Sequence, residues 1–314
     1  MSVRIVFLGT SASVPTVHRN VAATALLRKG ELMLFDCGEG TQRQMVKAGL
    51  GFGRKMKIFI SHMHGDHVLG LPGLFQTMSL MGRVRPLHIY GPPGLRKFIT
   101  STLESIVFHL SFEIPVAERE GGEVCNEAEY TVQSLPVDHS VFTLGYALCE
   151  KDRPGRFYAE KARALGIPEG PLWKKLQTGQ PVRVRNGSIV ESKAVLGQPR
   201  RGFKVVYISD TRPCEAAVKL SMGADILIYD GTFDDELRDK AKAEGHSTVV
   251  QAAEVAKEAH ARKLVLTHIS ARYENVELLK NQASSVYENV IVANDFMSIM
   301  IKYDETVQVT NEPA

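Results

Sequence analysis

The chain has 314 residues, of which 44% are hydrophobic and 23% are charged. These proportions are ordinary for a globular protein and exclude disorder as its main state, and the length allows one large domain or two ordinary ones. No run approaches the ~18 apolar residues of a membrane span, so we expect a soluble protein. Widely spaced cysteines without a CxxC pair predict reduced thiols in a cytoplasm and argue against a cysteine metal site. They are Cys37, Cys125, Cys149 and Cys214.

The net charge of +3 is unevenly distributed along the chain. Residues 151 to 201 contain twelve Lys and Arg but four Asp and Glu, a local net charge of +8, which leaves −5 for the remainder. A basic segment on a mildly acidic body predicts a contact with a polyanion. The alternative is a solvated loop that is basic by chance.

In the first half, apolar runs rich in β-branched residues predict strands. They cover residues 3–8, 23–27, 31–35 and 56–60. The segment Arg28-Lys29-Gly30 turns the middle pair into a hairpin. Helices are predicted at 69–81 and 94–106, on either side of a strand at 87–90.

The second half repeats this alternation of strands and helices. Strands are predicted at 131–137, 143–150, 204–209, 225–230, 263–269 and 290–293. The clearest helix covers 247–261, where Ser247 and Thr248 are placed to cap it. Two similar halves of this kind predict an α/β fold in which two sheets carry helices on their outer faces.

Residues 151–200 interrupt the pattern and are called the basic arm below. They include the only tryptophan, Trp173, and much of the proline and glycine, with little strand periodicity. An insertion of ~50 such residues is uncommon in a compact domain and is usually functional or disordered. We interpret it as an arm that projects from a single domain spanning 1–314.

The stretch SHMHGDHVLGL (61–71) places four potential metal ligands within six residues. They are His62, His64, Asp66 and His67. Further candidates each follow a predicted strand, as expected for a site at the strand ends of an α/β scaffold. They are His139, Asp210 and His268. Imidazole and carboxylate ligands without thiolates favour zinc over manganese or iron, and seven of them suffice for two ions.

The pattern HxHxDH with these downstream residues resembles the metallo-β-lactamase superfamily. More narrowly, several segments resemble the ribonuclease Z family of tRNA 3′-processing endonucleases. They are FLGTSASVPTVHRN (7–20), DCGEGTQRQM (36–45), SHMHGDHVLGLPGL (61–74), VDHSVFTLGY (137–146), SDTRP (209–213) and GHST (245–248). Residues 154–171 resemble the flexible arm of that family, and the similarity extends from about residue 3 to 303.

This resemblance implies a four-layer αββα metallo-β-lactamase sandwich that holds two zinc ions per subunit. His62, His64 and His139 would bind one zinc. Asp66, His67 and His268 would bind the other, and Asp210 would bridge them. Asp66 would act as general base, and His246 would be the proton donor, supported by Asp230.

The substrate implied is precursor tRNA, bound by a cytoplasmic homodimer without a membrane or DNA partner. The residues expected to contact RNA are Arg19, Asn20, Arg153, Arg156, Lys161, Arg163, Trp173, Lys174 and Lys175.

Two positions depart from the family pattern. Val17 stands where a lysine is common, and Tyr229-Asp230-Gly231-Thr232 replaces His-Glu-Ala-Thr.

Two alternative functions stay open. A small-molecule metallohydrolase of the same superfamily would have the same ligands, but it would not need a basic arm with aromatic residues. A non-catalytic RNA-binding module would need the arm, but it would not need seven metal ligands.

The four histidines without metal-site context are interpreted as structural. They are His18, His88, His109 and His260.

Overall fold

The computed structural model describes residues 2–184, 187–302 and 307–310; Arg185 and Asn186 of the basic arm and both chain ends lie outside it. The strands of the described part are β1 (Ser2–Gly9), β2 (Ser11–Ala12), β3 (Ala23–Arg28), β4 (Glu31–Phe35), β5 (Met56–Phe59), β6 (His88–Gly91), β7 (Val116–Glu118), β8 (Gly122–Asn126), β9 (Tyr130–Val137), β10 (Thr143–Glu150), β11 (Val182–Arg183), β12 (Ile189–Val190), β13 (Lys204–Ile208), β14 (Ile226–Asp230), β15 (Leu264–Thr267), β16 (Ile269–Ser270), β17 (Val290–Val292), β18 (Ser298–Lys302) and β19 (Val307–Thr310). Its α-helices are α1 (Thr41–Lys47), α2 (Gly65–Val68), α3 (Gly70–Leu80), α4 (Leu95–Ser105), α5 (Ala159–Ala164), α6 (Pro171–Gln177), α7 (Glu215–Ser221), α8 (Arg238–Glu244), α9 (Val249–Glu258) and α10 (Glu277–Ser284). Short 3₁₀ turns occur at Ser192–Ala194 and Asp235–Leu237.

The first large sheet has eight strands in the order β19-β18-β1-β3-β4-β5-β6-β7. The hairpin β3–β4 is antiparallel, whereas β4, β5, β6 and β7 run parallel to one another. Strand β18 pairs antiparallel with β1, so the first strand and a strand almost 300 residues later lie side by side in one sheet. Because β4 and β5 are parallel neighbours, the residues that follow them emerge at the same edge.

The second large sheet has seven strands in the order β17-β15-β14-β13-β10-β9-β8. Strands β13, β14, β15 and β17 are parallel, so their carboxyl ends also share one edge. A small parallel pair, β2 with β16, lies just after the end of β15 and ties the loop after β1 to that edge. Both large sheets therefore present loops suited to building a site.

The two sheets face each other through aromatic side chains. Phe35 of β4 stacks on Tyr207 of β13 with ring centroids 5.4 Å apart, and Phe59 of β5 lies 5.6 Å from Tyr146 of β10. Adjacent residues on β4 and β5 point to the opposite face, as strand alternation requires, and pack in a core with α1, α3 and α4. Helix α9 packs on β14 and β15 of the second sheet. The predicted αββα sandwich is confirmed.

Most predicted elements are confirmed, with ends that differ from the prediction by at most three residues. The predicted helix at 69–81 is α3, preceded by the single-turn helix α2. The predicted helix at 247–261 begins at Val249, and Thr248 caps it by accepting the N–H of Gln251. Ser247 does not cap this helix, because its hydroxyl donates to the Thr211 carbonyl instead.

The chain divides into two compact units. The first comprises Met1–Asn126, Val132–Leu148 and Lys204–Ala314, and the second comprises Glu127–Thr131 and Cys149–Phe203, which includes the basic arm. The second unit holds α5, α6, β11 and β12 and has an apolar cluster of its own. The buried members of that cluster are Ala162, Ile167, Leu176, Val182, Val184, Val190 and Val195. Within the described residues, no helix has both the length and the apolar character needed to span a bilayer.

Candidate metal centre

The predicted metal ligands come together at the strand ends of the first unit. His62, His64, Asp66 and His67 follow β5, and His139 follows β9. Asp210 comes two residues after β13, and His268 directly follows β15. Seven side chains from four separate loops thus converge, although up to 206 positions separate them in the sequence.

The first donor group comprises His62, His64 and His139. His62 Nε2 lies 3.0 Å from His64 Nδ1, and His139 Nε2 lies 3.4 Å from the same atom. Asp210 Oδ2 is 3.7 Å from His62 Nε2 and 3.8 Å from His139 Nε2. Four potential ligand atoms therefore surround one small volume.

The second donor group comprises Asp66, His67 and His268. Asp66 Oδ2 lies 3.4 Å from His67 Nε2 and 3.4 Å from His268 Nε2. Asp210 Oδ1 completes the group, 3.4 Å from His67 Nε2 and 3.3 Å from His268 Nε2. Asp210 thus directs one carboxylate oxygen toward each group, as a bridging ligand must.

These separations fit the spacing that zinc requires. Ligands at 2.0–2.1 Å in a tetrahedron lie about 3.3 Å from one another. The donor separations of 3.0–3.8 Å lie around that value. His67 Nε2 is also fully buried and finds no hydrogen-bond partner among the described residues. A buried polar atom without a partner is costly, and a cation placed at the second group would satisfy it.

In several of these histidines the other ring nitrogen is held by a neighbouring group. His139 Nδ1 lies 2.7 Å from the Gly245 carbonyl oxygen, and His268 Nδ1 lies 3.0 Å from Thr232 Oγ1. His67 Nδ1 lies 2.7 Å from the carboxylate of Asp36. Such partners orient a ligating imidazole and determine which nitrogen carries its proton.

The imidazoles of the centre lower the pKa values of its two carboxylates. Burial acts to raise the pKa of Asp66, but His268 and His67 hold that pKa well below its usual range. Burial also acts to raise the pKa of Asp210, and neighbouring imidazoles, His268 first, keep it well below the usual value. Both carboxylates are therefore ionised across the working pH range, which is the form that binds a cation.

A histidine–aspartate pair lies beside the two donor groups. His246 is largely buried, and its Nδ1 lies 2.9 Å from Asp230 Oδ2. Its ring centroid is 5.0 Å from that of His139 and 5.3 Å from that of His268. Burial lowers the pKa of His246, but the Asp230 carboxylate outweighs burial and raises that pKa to about 9. The imidazole is therefore protonated at neutral pH.

Two backbone features support the centre. Ser13, in the loop after β2, donates its N–H to Asp66 Oδ2 at 2.9 Å and has a positive φ of 56°. Asp36 and His268 also adopt left-handed backbone, with φ values of 57° and 58°. Residues other than glycine rarely adopt this conformation, and such strain is concentrated at functional sites.

Comparisons with known proteins identify the family of this chain. The family model of the anti-Pycsar protein Apyc1 matches residues 3–109, and that of the beta-lactamase superfamily domain matches residues 177–269. A ribonuclease Z of Methanosarcina acetivorans is 52% identical over 301 residues, which cover 96% of this chain and 98% of the relative. The chain belongs to the ribonuclease Z family.

Other ribonuclease Z relatives extend this result. The ribonuclease Z of Methanothermobacter thermautotrophicus is 48% identical, with 96% of this chain and 98% of the relative covered. Human tRNase Z, short form, has a crystal structure that matches this chain with a TM-score of 0.69 and 33% sequence identity. The match covers 94% of this chain and 98% of the human chain. As a ribonuclease Z, the chain is a hydrolase that acts on phosphodiester bonds.

The residues predicted to contact RNA differ in their exposure to solvent. Arg19 is buried, and its guanidinium donates to Thr10 Oγ1, the Ala293 carbonyl and Asn294 Oδ1 at 2.6–2.7 Å. These bonds use its donors inside the protein, so the prediction that Arg19 contacts RNA is not supported by its position. Asn20 is half-buried and donates its side-chain amide to the Glu39 carbonyl.

The arm residues of this ribonuclease Z lie in the second unit. Exposed cationic side chains are Arg156, Lys161, Arg163, Lys174 and Lys175, whereas Arg153 is half-buried. Trp173 is half-buried against the unit's apolar cluster, and its ring lies 5.1 Å from that of Phe157. The Trp173 indole N–H donates to the Ile167 carbonyl. Trp173 therefore packs the unit, and its ring is only partly available for stacking.

Sequence reasoning assigned no role to several side chains behind the ligands. These are Asp36, Ser61, Tyr207 and Thr232, all buried. Asp36 follows a predicted strand and begins the motif DCGEG. That position could have indicated a role for Asp36 at the metal centre. Ser61 and Thr232 adjoin residues that were singled out, but nothing in the sequence places Tyr207 near the metal centre.

Proposed function

We propose that this chain removes the 3′ trailer from precursor tRNA as a zinc-dependent endonuclease and leaves a 3′-hydroxyl on the tRNA. The observation that carries the proposal is the position of Asp210, which directs one oxygen toward each of two donor groups at 3.3–3.8 Å. Two zinc ions in these groups would lower the pKa of a shared water and clamp the oxygens of a phosphodiester. The ribonuclease Z relatives support RNA as the substrate.

Two different side chains would carry out the two proton transfers of the reaction. Asp66 has Oδ2 directed at the second donor group and fixed by the Ser13 N–H, so its other oxygen can orient the attacking water and accept its proton. Because its pKa is held low, Asp66 is ionised and able to accept this proton at neutral pH, and as a weak base it then releases the proton to bulk water. His246 directs Nδ1 at Asp230, which leaves its protonated Nε2 to donate to the departing 3′-oxygen.

The basic arm supports recognition of folded RNA. The exposed cations Lys161, Lys174 and Lys175 can attract phosphates along the RNA backbone. Lys161 Nζ lies 4.7 Å from the centroid of the Tyr158 ring, which combines charge with a stacking surface. A small-molecule metallohydrolase would have no use for this surface, so we favour the RNA substrate.

A cytoplasmic homodimer completes the proposal. Leu80, Met81 and Val84, at the end of α3 and just after it, are between 71% and 81% exposed, an unusual density of large apolar side chains on a surface. A second copy of the chain would cover them. Analytical ultracentrifugation of the purified protein should give twice the chain mass, and a single-chain mass would contradict the dimer.

The decisive test of activity is to map the cut on a 3′-extended precursor tRNA with the zinc-loaded protein. Cleavage at one position near the end of the acceptor stem, with a 3′-hydroxyl on the tRNA fragment, would support the proposal. A control reaction contains a chelator in excess of the zinc and should show no cleavage. Absence of specific cleavage by the loaded protein would contradict the proposed substrate.

A further inference from the structure

We infer that Asp36, Ser61 and Tyr207 form a positioning cluster that fixes one histidine of each donor group, and so couples the binding of the two metal ions. This inference rests on the proposed zinc centre and adds residues that touch neither metal nor substrate. We call these three side chains the Asp36 cluster. They come from the ends of β4, β5 and β13, and therefore from both large sheets.

The Asp36 carboxylate is the acceptor at the centre of the cluster. Its Oδ1 accepts the backbone N–H of Ser61 at 2.7 Å. Its Oδ2 lies 2.8 Å from the Ser61 hydroxyl, 2.8 Å from the Tyr207 hydroxyl and 2.7 Å from His67 Nδ1. A carboxylate can only accept hydrogen bonds, so all four partners must act as donors. His67 consequently carries its proton on Nδ1 and presents the lone pair of Nε2 to the second donor group.

The Ser61 hydroxyl transmits the same constraint to the first donor group. Because its single proton is donated to Asp36, the hydroxyl oxygen must accept in its other contact, 2.9 Å from His62 Nδ1. His62 therefore also carries its proton on Nδ1 and presents Nε2 as a ligand. The Ser61 hydroxyl lies 3.5 Å from His67 Nδ1, too far to compete with Asp36 for that proton.

The surroundings make the cluster rigid. Asp36, Ser61, His62 and His67 are fully buried and Tyr207 is 2% exposed, so bulk water cannot replace a lost partner. Burial and Asp36 raise the pKa of Tyr207 well above its ordinary value, which keeps its hydroxyl a donor. The backbone adds two bonds, from Asp36 N–H to the Phe59 carbonyl at 2.8 Å and from Cys37 N–H to the His67 carbonyl at 2.8 Å.

The partners of the other histidines are different. His139 is held by a backbone carbonyl, and His268 by Thr232, so each of these partners serves one donor group. In the described part of the chain, the Asp36 cluster is the feature whose hydrogen bonds reach Nδ1 of a histidine in each group. Weakening it should therefore reduce the affinity for both ions.

The test compares Ser61→Ala and Tyr207→Phe with the control Tyr146→Phe. Tyr146 is a matched buried tyrosine between the sheets, but its hydroxyl donates to the Ile60 carbonyl and does not contact Asp36. Zinc affinities are measured by competition with a chromophoric chelator, and histidine tautomers by ¹⁵N NMR of the zinc-loaded protein. Circular dichroism shows whether each variant is folded.

We expect Ser61→Ala to weaken the binding of both ions by about 10- to 100-fold, the range typical for the partners of metal ligands. Tyr207→Phe should have a smaller effect in the same direction and remains informative if Ser61→Ala does not fold. Tyr146→Phe should leave both affinities unchanged. The wild-type spectrum should show His62 and His67 with their protons on Nδ1.

Unchanged affinities in both Ser61→Ala and Tyr207→Phe would overturn the coupling while leaving the zinc proposal intact. Weakening of only one ion would also overturn it. A wild-type protein that binds no zinc would contradict the proposed metal chemistry itself, and the coupling with it. The affinity measurement thus separates failure of the cluster from failure of the function.

Discussion

His246 Nδ1 lies 2.9 Å from Asp230 Oδ2, within a buried pair beside both donor groups. The carboxylate favours the protonated form of the imidazole and leaves Nε2–H for the proposed proton transfer. A family motif that usually contains glutamate has aspartate at this position, and the shorter side chain still reaches the histidine. Asp230 also accepts the backbone N–H of Thr232 and of Thr211, which fixes its orientation.

Replacement of His246 by alanine should lower turnover of precursor tRNA by about 10²- to 10⁴-fold, the usual contribution of a general acid. An activated aryl phosphodiester should be hydrolysed almost as fast as by the wild type, because its phenolate leaves without a proton. Turnover of both substrates and bound zinc would be measured together. Equal losses on both substrates, or loss of zinc, would show that His246 serves the metals, since it also lies within reach of Asp210 and His268.

The substitution Asp230→Asn should move the alkaline limb of the pH–rate profile to lower pH. With Asp230 present the pKa of His246 is about 9, so the donor is protonated below that value and activity declines as the pH rises through it. Without the carboxylate, burial lowers that pKa, and the limb should shift down by about one unit or more. The profile of kcat on precursor tRNA measures the shift, and the aryl phosphodiester, which needs no donor, should show none.

Asp66→Ala should reduce hydrolysis of precursor tRNA to below a few per cent of the wild-type rate. The variant loses both the proposed water-orienting group and a member of the second donor group, so its zinc content should fall in part. Binding of tRNA, measured by fluorescence anisotropy, should change little, because the proposed contact surface lies mainly in the arm. Substantial residual activity would exclude Asp66 as the base.

Deletion of residues 154–198 with a short Gly-Ser bridge should separate chemistry from recognition. Arg153 and Arg200 pair through two backbone hydrogen bonds of 2.9 Å, so the ends of the deletion are adjacent and a short linker can join them. All seven donors lie outside the segment, and hydrolysis of the aryl phosphodiester should survive. Affinity for precursor tRNA should fall by orders of magnitude.

The salt dependence of tRNA binding gives the physical check on this deletion. Each lost phosphate contact removes roughly 0.7–0.9 from the slope of log affinity against log salt concentration. The slope should therefore flatten in the deleted protein. Unchanged affinity and slope would mean that the arm's positive charge is only solvated and that another surface binds the RNA.

Arg19→Ala should destabilise the fold by about 2–4 kcal/mol, because it leaves buried acceptors without their charged donor. The exposed neighbour substitution His18→Ala should change stability by less than about 0.5 kcal/mol. Urea denaturation measures both. A loss of RNA affinity in Arg19→Ala without a loss of stability would restore Arg19 to the RNA-contact residues.

The sequence by itself determined the αββα class, because strand and helix periodicities are local properties of the chain. It also predicted the seven side chains that the fold brings together at the candidate metal centre, because imidazoles and carboxylates concentrated after strands have few structural uses. It could not show that β18 pairs with β1, or that Arg19 is buried, since these depend on partners more than 270 residues away. Nor could it place the hydroxyl of Tyr207, from the second sheet, on the Asp36 carboxylate of the first. Hydrogen bonds of that kind are decided only when the two sheets face each other, because packing alone brings the donor to the acceptor and excludes water from both.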